Sequence, residues 1–306
     1  MKYLPKLHQL KVFQTVIRYG SIRAAAREMK QSQPALTRSM RELEDTLGAV
    51  LMTRGSRGIV LTEAGRAFAA RMQLILEELE RAADEIQQIN QSSQGNIAVG
   101  FSSLPALTIF PPALVQFKSR FPKTNITVLE GQLSTLLPFL REGKLDFAIG
   151  TISPDVPLSE FIEEPLFKAS FCIIARQGHP LEKCTNVAQL LEAKWFLPAT
   201  SMGYYKGLES LFSNLYQALH HAPIRSDSVV TALNLILNFD YLTIVASAML
   251  PALDINNRLC MLPITEPLPQ ASYSLIYPRQ RPLTLAAKRF TEVLHWESQQ
   301  HSWAKD

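Results

Sequence analysis

Gln33, Thr37, Arg38 and Arg41 carry the side chains with the most specific chemistry in this chain. Steps of four place Gln33, Thr37 and Arg41 on one face of a helix, with Arg38 beside them. An amide can pair with the edge of adenine, and a guanidinium with guanine or a phosphate. That combination reads nucleic acid. Leu36, Met40, Leu43 and Leu47 recur at four, three and four, so the opposite face is apolar and must pack on something. Ser32 is placed to cap the first turn, and Pro34 is tolerated there because early amides lack helical partners. The whole stretch Gln31–Gly48 therefore predicts an amphipathic helix. Just upstream, Ser21–Met29 predicts a shorter helix with a small-residue face, joined by a tight polar turn. Such a pair describes a helix-turn-helix, although an ordinary helix pair in an all-α domain shares the pattern.

The following residues decide between these. Val50–Leu61 has two short apolar runs flanking Arg54-Gly55-Ser56-Arg57-Gly58, the pattern of a hairpin. Arg54 and Arg57 at its tip suit a minor groove or phosphates. A helix-turn-helix with a basic wing is a winged helix. Residues 1–66 hold twelve Lys or Arg against five acids, whereas the other 240 hold nineteen against twenty-two. Positive charge is concentrated where the motif sits, as phosphate binding requires.

The amino-terminal region resembles the LysR-type transcriptional regulators. Gly20-Ser21 leading into Ala24-Ala25-Ala26, then Ser32-Gln33-Pro34-Ala35-Leu36-Thr37, Arg41-Glu42-Leu43-Glu44, Leu47-Gly48 and Leu61-Thr62-Glu63-Ala64-Gly65 follow that family's signature. Met52 stands where the family usually has an aromatic residue, a conservative packing change. The resemblance extends over essentially all 306 residues. It implies double-stranded promoter DNA as a partner, contacted from Ser32, Gln33, Pro34, Thr37, Arg38, Arg41, Arg54 and Arg57. It also implies a small-molecule effector, a homo-oligomer that is a dimer of dimers, and RNA polymerase as a further partner.

Phe68, Met72, Ile75, Leu79, Ala82, Ile86 and Ile89 step by four and three through three heptads, with charged residues between them. An apolar seam with charged flanks predicts a long linker helix forming a coiled-coil dimer. A twofold dimer would present two recognition helices about 34 Å apart, one turn of duplex. Gln91-Ser92-Ser93-Gln94-Gly95 then reads as a hinge.

Beyond it, strands and helices alternate, which predicts α/β units with parallel sheets. The strands expected are Asn96–Phe101, Asn125–Glu130, Leu145–Gly150, Phe171–Arg176, Trp195–Leu197, Ile224–Ser226, Leu242–Ala246, Leu259–Pro263 and Ser274–Tyr277. The helices expected are Leu104–Phe121, restarted at Pro111-Pro112, with Leu133–Glu142, Tyr204–Leu219, Val229–Phe239 and Leu283–Gln299. The resemblance implies a two-lobed domain like a periplasmic binding protein, in which the chain crosses twice between lobes. The organisation expected is therefore a winged helix over 1–66, a linker over 67–94, and a regulatory domain over 95–306. Lobe I takes about 95–165 and 267–306, and lobe II about 166–266.

Ligands of open α/β sheets sit beyond the carboxyl ends of strands, at helix amino termini. That rule selects Ser102, Ser103, Gln132, Leu133, Thr151, Thr200, Ser201, Met202, Ser228 and Ala246. Converging hydroxyls and free amides suit a small anion, plausibly a carboxylate. Singly, each Ser or Thr is equally explained as a helix cap; the family's use of this cleft favours the binding reading. Leu197–Tyr205 resembles the branches that regulate threonine degradation and aminobenzoyl-glutamate uptake, which hints at an amino-acid-like or aromatic acid.

Composition is that of an ordinary globular protein, 47% hydrophobic and 19% charged. No basic-then-apolar export signal or membrane span is evident, which predicts a cytoplasmic protein with no membrane partner. Cys172, Cys184 and Cys260 have no metal-ligand spacing, so neither a metal site nor a cofactor is expected; the resemblance, whose family includes a cysteine-switched redox sensor, implies a Cys172–Cys184 redox pair as a minor alternative. An enzyme is the main rival class, but there is no nucleophile elbow, Walker loop or GxGxxG. The six histidines lack HExxH spacing. A solute receptor lacks the basic winged helix. An architectural DNA protein would differ by having a cleft that binds nothing.

Overall fold

The computed structural model describes residues 4–55, 58–89, 95–151, 158–199, 221–254, 256–268 and 270–303, excepting the side chains of Arg54, Gln87 and Gln88. The chain divides into two compact units, Met1–Ala83 and Asp84–Asp306.

The first unit contains α1 (Leu7–Tyr19), α2 (Ile22–Glu28), α3 (Gln33–Leu47), β1 (Met52–Gly55), β2 (Gly58–Leu61) and most of α4 (Glu63–Ile89). Ser21 Oγ accepts the Ala24 amide at 3.0 Å and Ser32 Oγ accepts the Ala35 amide at 3.3 Å, so both helices start on side-chain caps. Gly48 ends α3 in the left-handed region at φ 64°, where a side chain would be strained. Val12, Phe13, Val16, Leu36 and Leu43 are fully buried where α1 and α3 face each other. β1 and β2 pair antiparallel, with Gly55 opposite Gly58. Thr62 Oγ1 donates to the Val50 carbonyl at 2.7 Å and accepts the Gly65 amide at 3.0 Å, tying the hairpin to the start of α4. A Cβ on Gly65 would collide with the Leu51 carbonyl, so only glycine fits there.

α4 runs for 27 residues without a break. Its expected seam divides in two. Phe68 packs on Phe13 at 5.7 Å between ring centroids, and Met72 is buried with Leu76 in the winged-helix core. Ile75, Leu79, Ala82, Ile86 and Ile89 are exposed instead, the large ones at 49–61%. Only the first turns of α4 lie against the winged-helix core, and the same apolar stripe continues uncovered beyond it. The expected hinge at 91–94 lies outside the described residues.

The second unit is built on one nine-stranded sheet, ordered β4-β3-β5-β11-β6-β9-β7-β8, with β10 added to β6. These strands are β3 (Asn96–Phe101), β4 (Asn125–Glu130), β5 (Phe147–Thr151), β6 (Phe161–Arg176), β7 (Lys194–Leu197), β8 (Ile224–Arg225), β9 (Tyr241–Ala246), β10 (Leu259–Met261) and β11 (Gln270–Pro278). The helices are α5 (Ser103–Leu107), α6 (Phe110–Arg120), α7 (Leu133–Arg141), α8 (Val229–Phe239), α9 (Leu250–Leu253) and α10 (Leu285–Gln300). The helix expected over 204–219 lies outside the described residues.

The expected parallel sheets need correction. β3 pairs parallel with β4 and β5, and β7 parallel with β8 and β9. β6 and β11, however, pair antiparallel with each other and with their outer neighbours β9 and β5. They are the two strands joining the halves of the sheet, running in opposite directions. Both are longer than the apolar runs Phe171–Arg176 and Ser274–Tyr277, because polar residues and a proline, such as Glu163, Pro165 and Lys168, interrupt the apolar pattern of the rest. The helix expected over Leu104–Phe121 is two, α5 and α6, with Pro111 and Pro112 in the first turn of the second.

The Asp146 carboxylate accepts the Ala98 amide at 2.7 Å and the Asp146 amide donates to Ala98 at 2.7 Å, fastening β5 to β3. The LDFAIG segment is thus a structural clasp.

Candidate functional site

Two sites emerge, one in each unit. In the first, Ser32, Gln33, Pro34, Arg38 and Arg41 are exposed on α3, and Thr37 is half-buried. Leu36, Met40 and Leu43 on the opposite face are buried, which fixes the rotation of the helix. Thr37 Oγ1 donates to the Gln33 carbonyl at 2.9 Å, leaving its lone pairs free to accept. Gln33, Thr37 and Arg41 form one wall of a groove whose other walls are Ser21 and Arg23 from the start of α2 and Thr53, Gly55 and Ile59 from the hairpin. Arg23 was counted in the basic charge but not singled out; its exposed position beside the cap Ser21 was the available signal. Of the hairpin arginines, Arg57 lies outside the described residues and Arg54 has a described backbone only.

The hairpin is held at two points. Glu44 Oε1 accepts the Leu51 amide at 2.8 Å and the Met52 amide at 3.4 Å, joining α3 to β1. The Ile59 amide donates to the Gly20 carbonyl at 3.1 Å, joining β2 to the turn before α2. The hairpin backbone is thus fixed to α3 on one side and to the turn before α2 on the other.

The second site is an open cleft enclosing about 550 Å³ of empty space, its solvent-filled mouth included. Its residues come from both sides of the β6/β11 crossing. Ser102, Ser103 and Gln132 line one side; Ser226, Asp227, Ser228 and Ala246 line the other. Phe171, Phe196, Met249 and Tyr273 supply apolar wall. Ser102 is 4% exposed, gives α5 no side-chain cap, and its hydroxyl reaches the Ile149 carbonyl only at 3.4 Å. Gln132 likewise gives α7 no side-chain cap. Ser228 is engaged as a cap, accepting the Thr231 amide at 3.2 Å and the Thr231 hydroxyl at 3.0 Å. Thr243 donates to the Phe196 carbonyl at 2.7 Å. Asp227 accepts the Ala199 amide at 3.0 Å, and Ser103 donates to Glu130 at 3.0 Å, so acids also stand near the rim.

Of the residues expected in the cleft, Ser102, Ser103, Gln132, Ser228 and Ala246 line it. Leu133 and Thr151 do not: Leu133 is 4% exposed among Leu136, Leu137 and Leu140, and Thr151 is buried at the end of β5 opposite Tyr273. An apolar side chain in a first turn packs inward whatever its amide does. Thr200, Ser201 and Met202 lie outside the described residues. The aromatic wall was missed because Phe171 and Phe196 sit in apolar runs that read as plain core, and Tyr273, between two serines, falls just before the expected strand.

Cys172, Cys184 and Cys260 are free thiols. Burial, then the charge of Glu182, push the Cys260 thiol up, disfavouring the reactive thiolate. Among the described residues no group of His, Cys, Asp and Glu could hold a metal ion, and no helix is long and apolar enough to cross a membrane.

Residues 7–66 match the model of the bacterial regulatory helix-turn-helix proteins of the lysR family, and residues 90–298 match the LysR substrate binding domain. The transcriptional regulator TdcA of Escherichia coli K12 is 35% identical over 290 residues, spanning 95% of this chain and 92% of TdcA. GbpR of Azospirillum brasilense is 25% identical over 286 residues, 92% of this chain and 84% of GbpR. Among solved structures, full-length CbnR complexed with its target DNA superposes with a TM-score of 0.71 at 22% identity, covering 95% of this chain and 99% of that one. With winged helix, cleft and both family matches in one sequence, the chain belongs to the LysR family of DNA-binding transcriptional regulators.

Proposed function

We propose that α3 reads bases through Gln33, Thr37 and Arg38, that Arg41, Arg54 and Arg57 hold phosphates or the minor groove, and that the cleft binds a small effector carrying a carboxylate on an apolar body. The effector assignment is carried by one observation: the uncapped turns at Ser102 and Gln132 meet an aromatic wall in a cleft built from both sides of the crossing strands. Open helix starts favour anions, and Phe171, Phe196 and Tyr273 favour apolar or aromatic groups. The likeness to TdcA, and the Leu197–Tyr205 segment, are in keeping with an amino-acid-like or aromatic acid. Asp227 and Glu130 near the rim would accommodate an amine on the same ligand.

A ligand held between the two sides changes their balance only through differential affinity for two arrangements. In a dimer paired along Ile75, Leu79, Ala82, Ile86 and Ile89, itself part of a dimer of dimers, that balance would set the spacing of the winged helices on DNA. The test is calorimetry on the full chain with a panel of amino acids, 2-oxo acids and benzoates, followed by operator footprinting with any binder. A binder that shifts the footprint supports the reading. No binder in the panel favours a ligand-independent DNA-binding role.

A further inference from the structure

β6 and β11 are the strands shared by both halves of the sheet, and their registers locate a narrow neck. β5 pairs β11 from Tyr273 to Ile276, and β9 pairs β6 from Phe171 to Ile174. Between these limits Lys168, Ala169 and Ser170 pair with Ser272, Ala271 and Gln270 and with no other described strand. The register shifts between Tyr273 and Ser274, next to this ribbon. A two-stranded ribbon twists and bends more readily than a full sheet, and a bulge adds to the bend. Any change in the arrangement of the two halves must pass through these few residues.

Three aromatic rings stack on that neck. Tyr273 and Phe167 are cross-strand partners, their rings stacked at 4.8 Å and 13°. Trp303, beyond the end of α10, stacks on Phe167 at 3.4 Å and 2°. The indole N–H donates to the Ser298 carbonyl at 2.7 Å, which fixes the ring to the last turn of α10. α10 is itself anchored through Phe290 and Leu294, both fully buried, so the tail has a rigid base. Tyr273 also lines the cleft. The column therefore runs from an anchored helix, across the neck, to the ligand wall.

We propose that Trp303 is a positioning residue for the cleft, bracing the two-stranded neck through Phe167 and holding the Tyr273 ring in the cleft wall. Stacked rings resist separation of the strands and the tail that carry them, because opening the stack returns their buried apolar faces to water. The consequence for a ligand rests on the effector reading above; the brace itself stands on the stack and the registers.

Hydrogen exchange followed by mass spectrometry on the full-length chain tests this without any ligand. Its outcome is therefore independent of which effector the cleft takes. In Trp303→Ala, peptides spanning 166–171 and 270–276 should exchange roughly tenfold faster, as local opening of the neck becomes easier. Peptides over 97–101 and 242–246, in the two halves of the sheet, should be unchanged. Trp303→Phe, which keeps a stacking ring, should restore protection at the neck. Unchanged neck exchange in Trp303→Ala would overturn the proposal. So would a uniform acceleration across both halves, which would make Trp303 an ordinary core residue, or failure of Trp303→Phe to restore protection.

Discussion

Glu44 on α3 accepts the backbone amide of Leu51 at 2.8 Å, so the helix and the hairpin that follows it are fastened by one carboxylate. A second contact to Met52 at 3.4 Å extends the clasp into β1. Partly buried hydrogen bonds to a charged acceptor contribute about 1.5–3 kcal/mol. Glu44→Ala should lower urea stability of the winged helix by about that amount and weaken binding to any DNA, because the wing loses its bearing. Glu44→Gln keeps an acceptor oxygen and should recover most of the loss. If alanine and glutamine variants bind DNA as the wild type does, the clasp has no part in positioning the wing.

Base reading and phosphate binding separate by their salt dependence. Gln33→Ala should cost roughly 1–3 kcal/mol on the cognate operator and relax preference at one position, with the salt slope unchanged. Arg41→Ala or Arg57→Ala should weaken all sequences alike and flatten the slope by about one unit. Fluorescence anisotropy at several salt concentrations, on operator and random duplexes, measures both. Equal losses on the two duplexes for Gln33→Ala would remove its base-reading role.

The division of the α4 stripe predicts opposite outcomes for neighbouring substitutions. Leu79 is 49% exposed in the isolated chain, so Leu79→Asp should leave the winged helix folded and separate the dimer proposed along this stripe. Met72 is 2% exposed in the core, so Met72→Asp should unfold the winged helix itself. Analytical ultracentrifugation with circular dichroism distinguishes them. An unchanged mass for Leu79→Asp would place the oligomer interface elsewhere.

Filling the cleft should uncouple response from DNA binding. Ala246→Trp and Ser102→Trp each add a bulky ring to the cleft lining and should abolish effector binding while operator affinity stays within about twofold, since distant sites act additively. Unaltered calorimetric affinity for the true effector in both variants would move the effector site away from this cleft.

Tyr277 gives a pH signature. Its hydroxyl donates to Glu164 at 2.7 Å, and burial, followed by that hydrogen bond and the carboxylate charge, pushes its pKa up from 10.0 to about 12. A folded-state value above the unfolded one means that the stabilisation is complete below about pH 10 and lost as pH rises toward 12. Thermal melts across this window should fall more steeply for the wild type than for Tyr277→Phe. Parallel curves would show that Tyr277 ionises as freely in the folded chain as in the unfolded one.

Much of this protein was legible along the chain. α3 was readable because its cap, its apolar stripe and its polar face all fall within one helix, where three- and four-residue steps decide everything. Asn96–Phe101, Asn125–Glu130 and Val229–Phe239 were readable for the same reason, each being bounded by its own turn residues. The family signature placed Glu44, Thr62 and Gly65 in the sequence but not their task, which needs the Leu51 backbone brought alongside.

What only the tertiary structure decided are relations between residues far apart in sequence. The antiparallel course of β6 and β11 pairs Phe161 with Pro278 and Ser170 with Gln270, and no local period announces such partners. The stripe on α4 divides because Phe13, across the core, claims Phe68 and leaves Ile75 outward. Phe171, Phe196 and Tyr273 became cleft wall, and Trp303 a brace, only when strands and tail from separate parts of the chain were set side by side. Periodicity tells which face of an element is apolar; which other element that face meets is set by packing the whole chain at once, and only the fold records it.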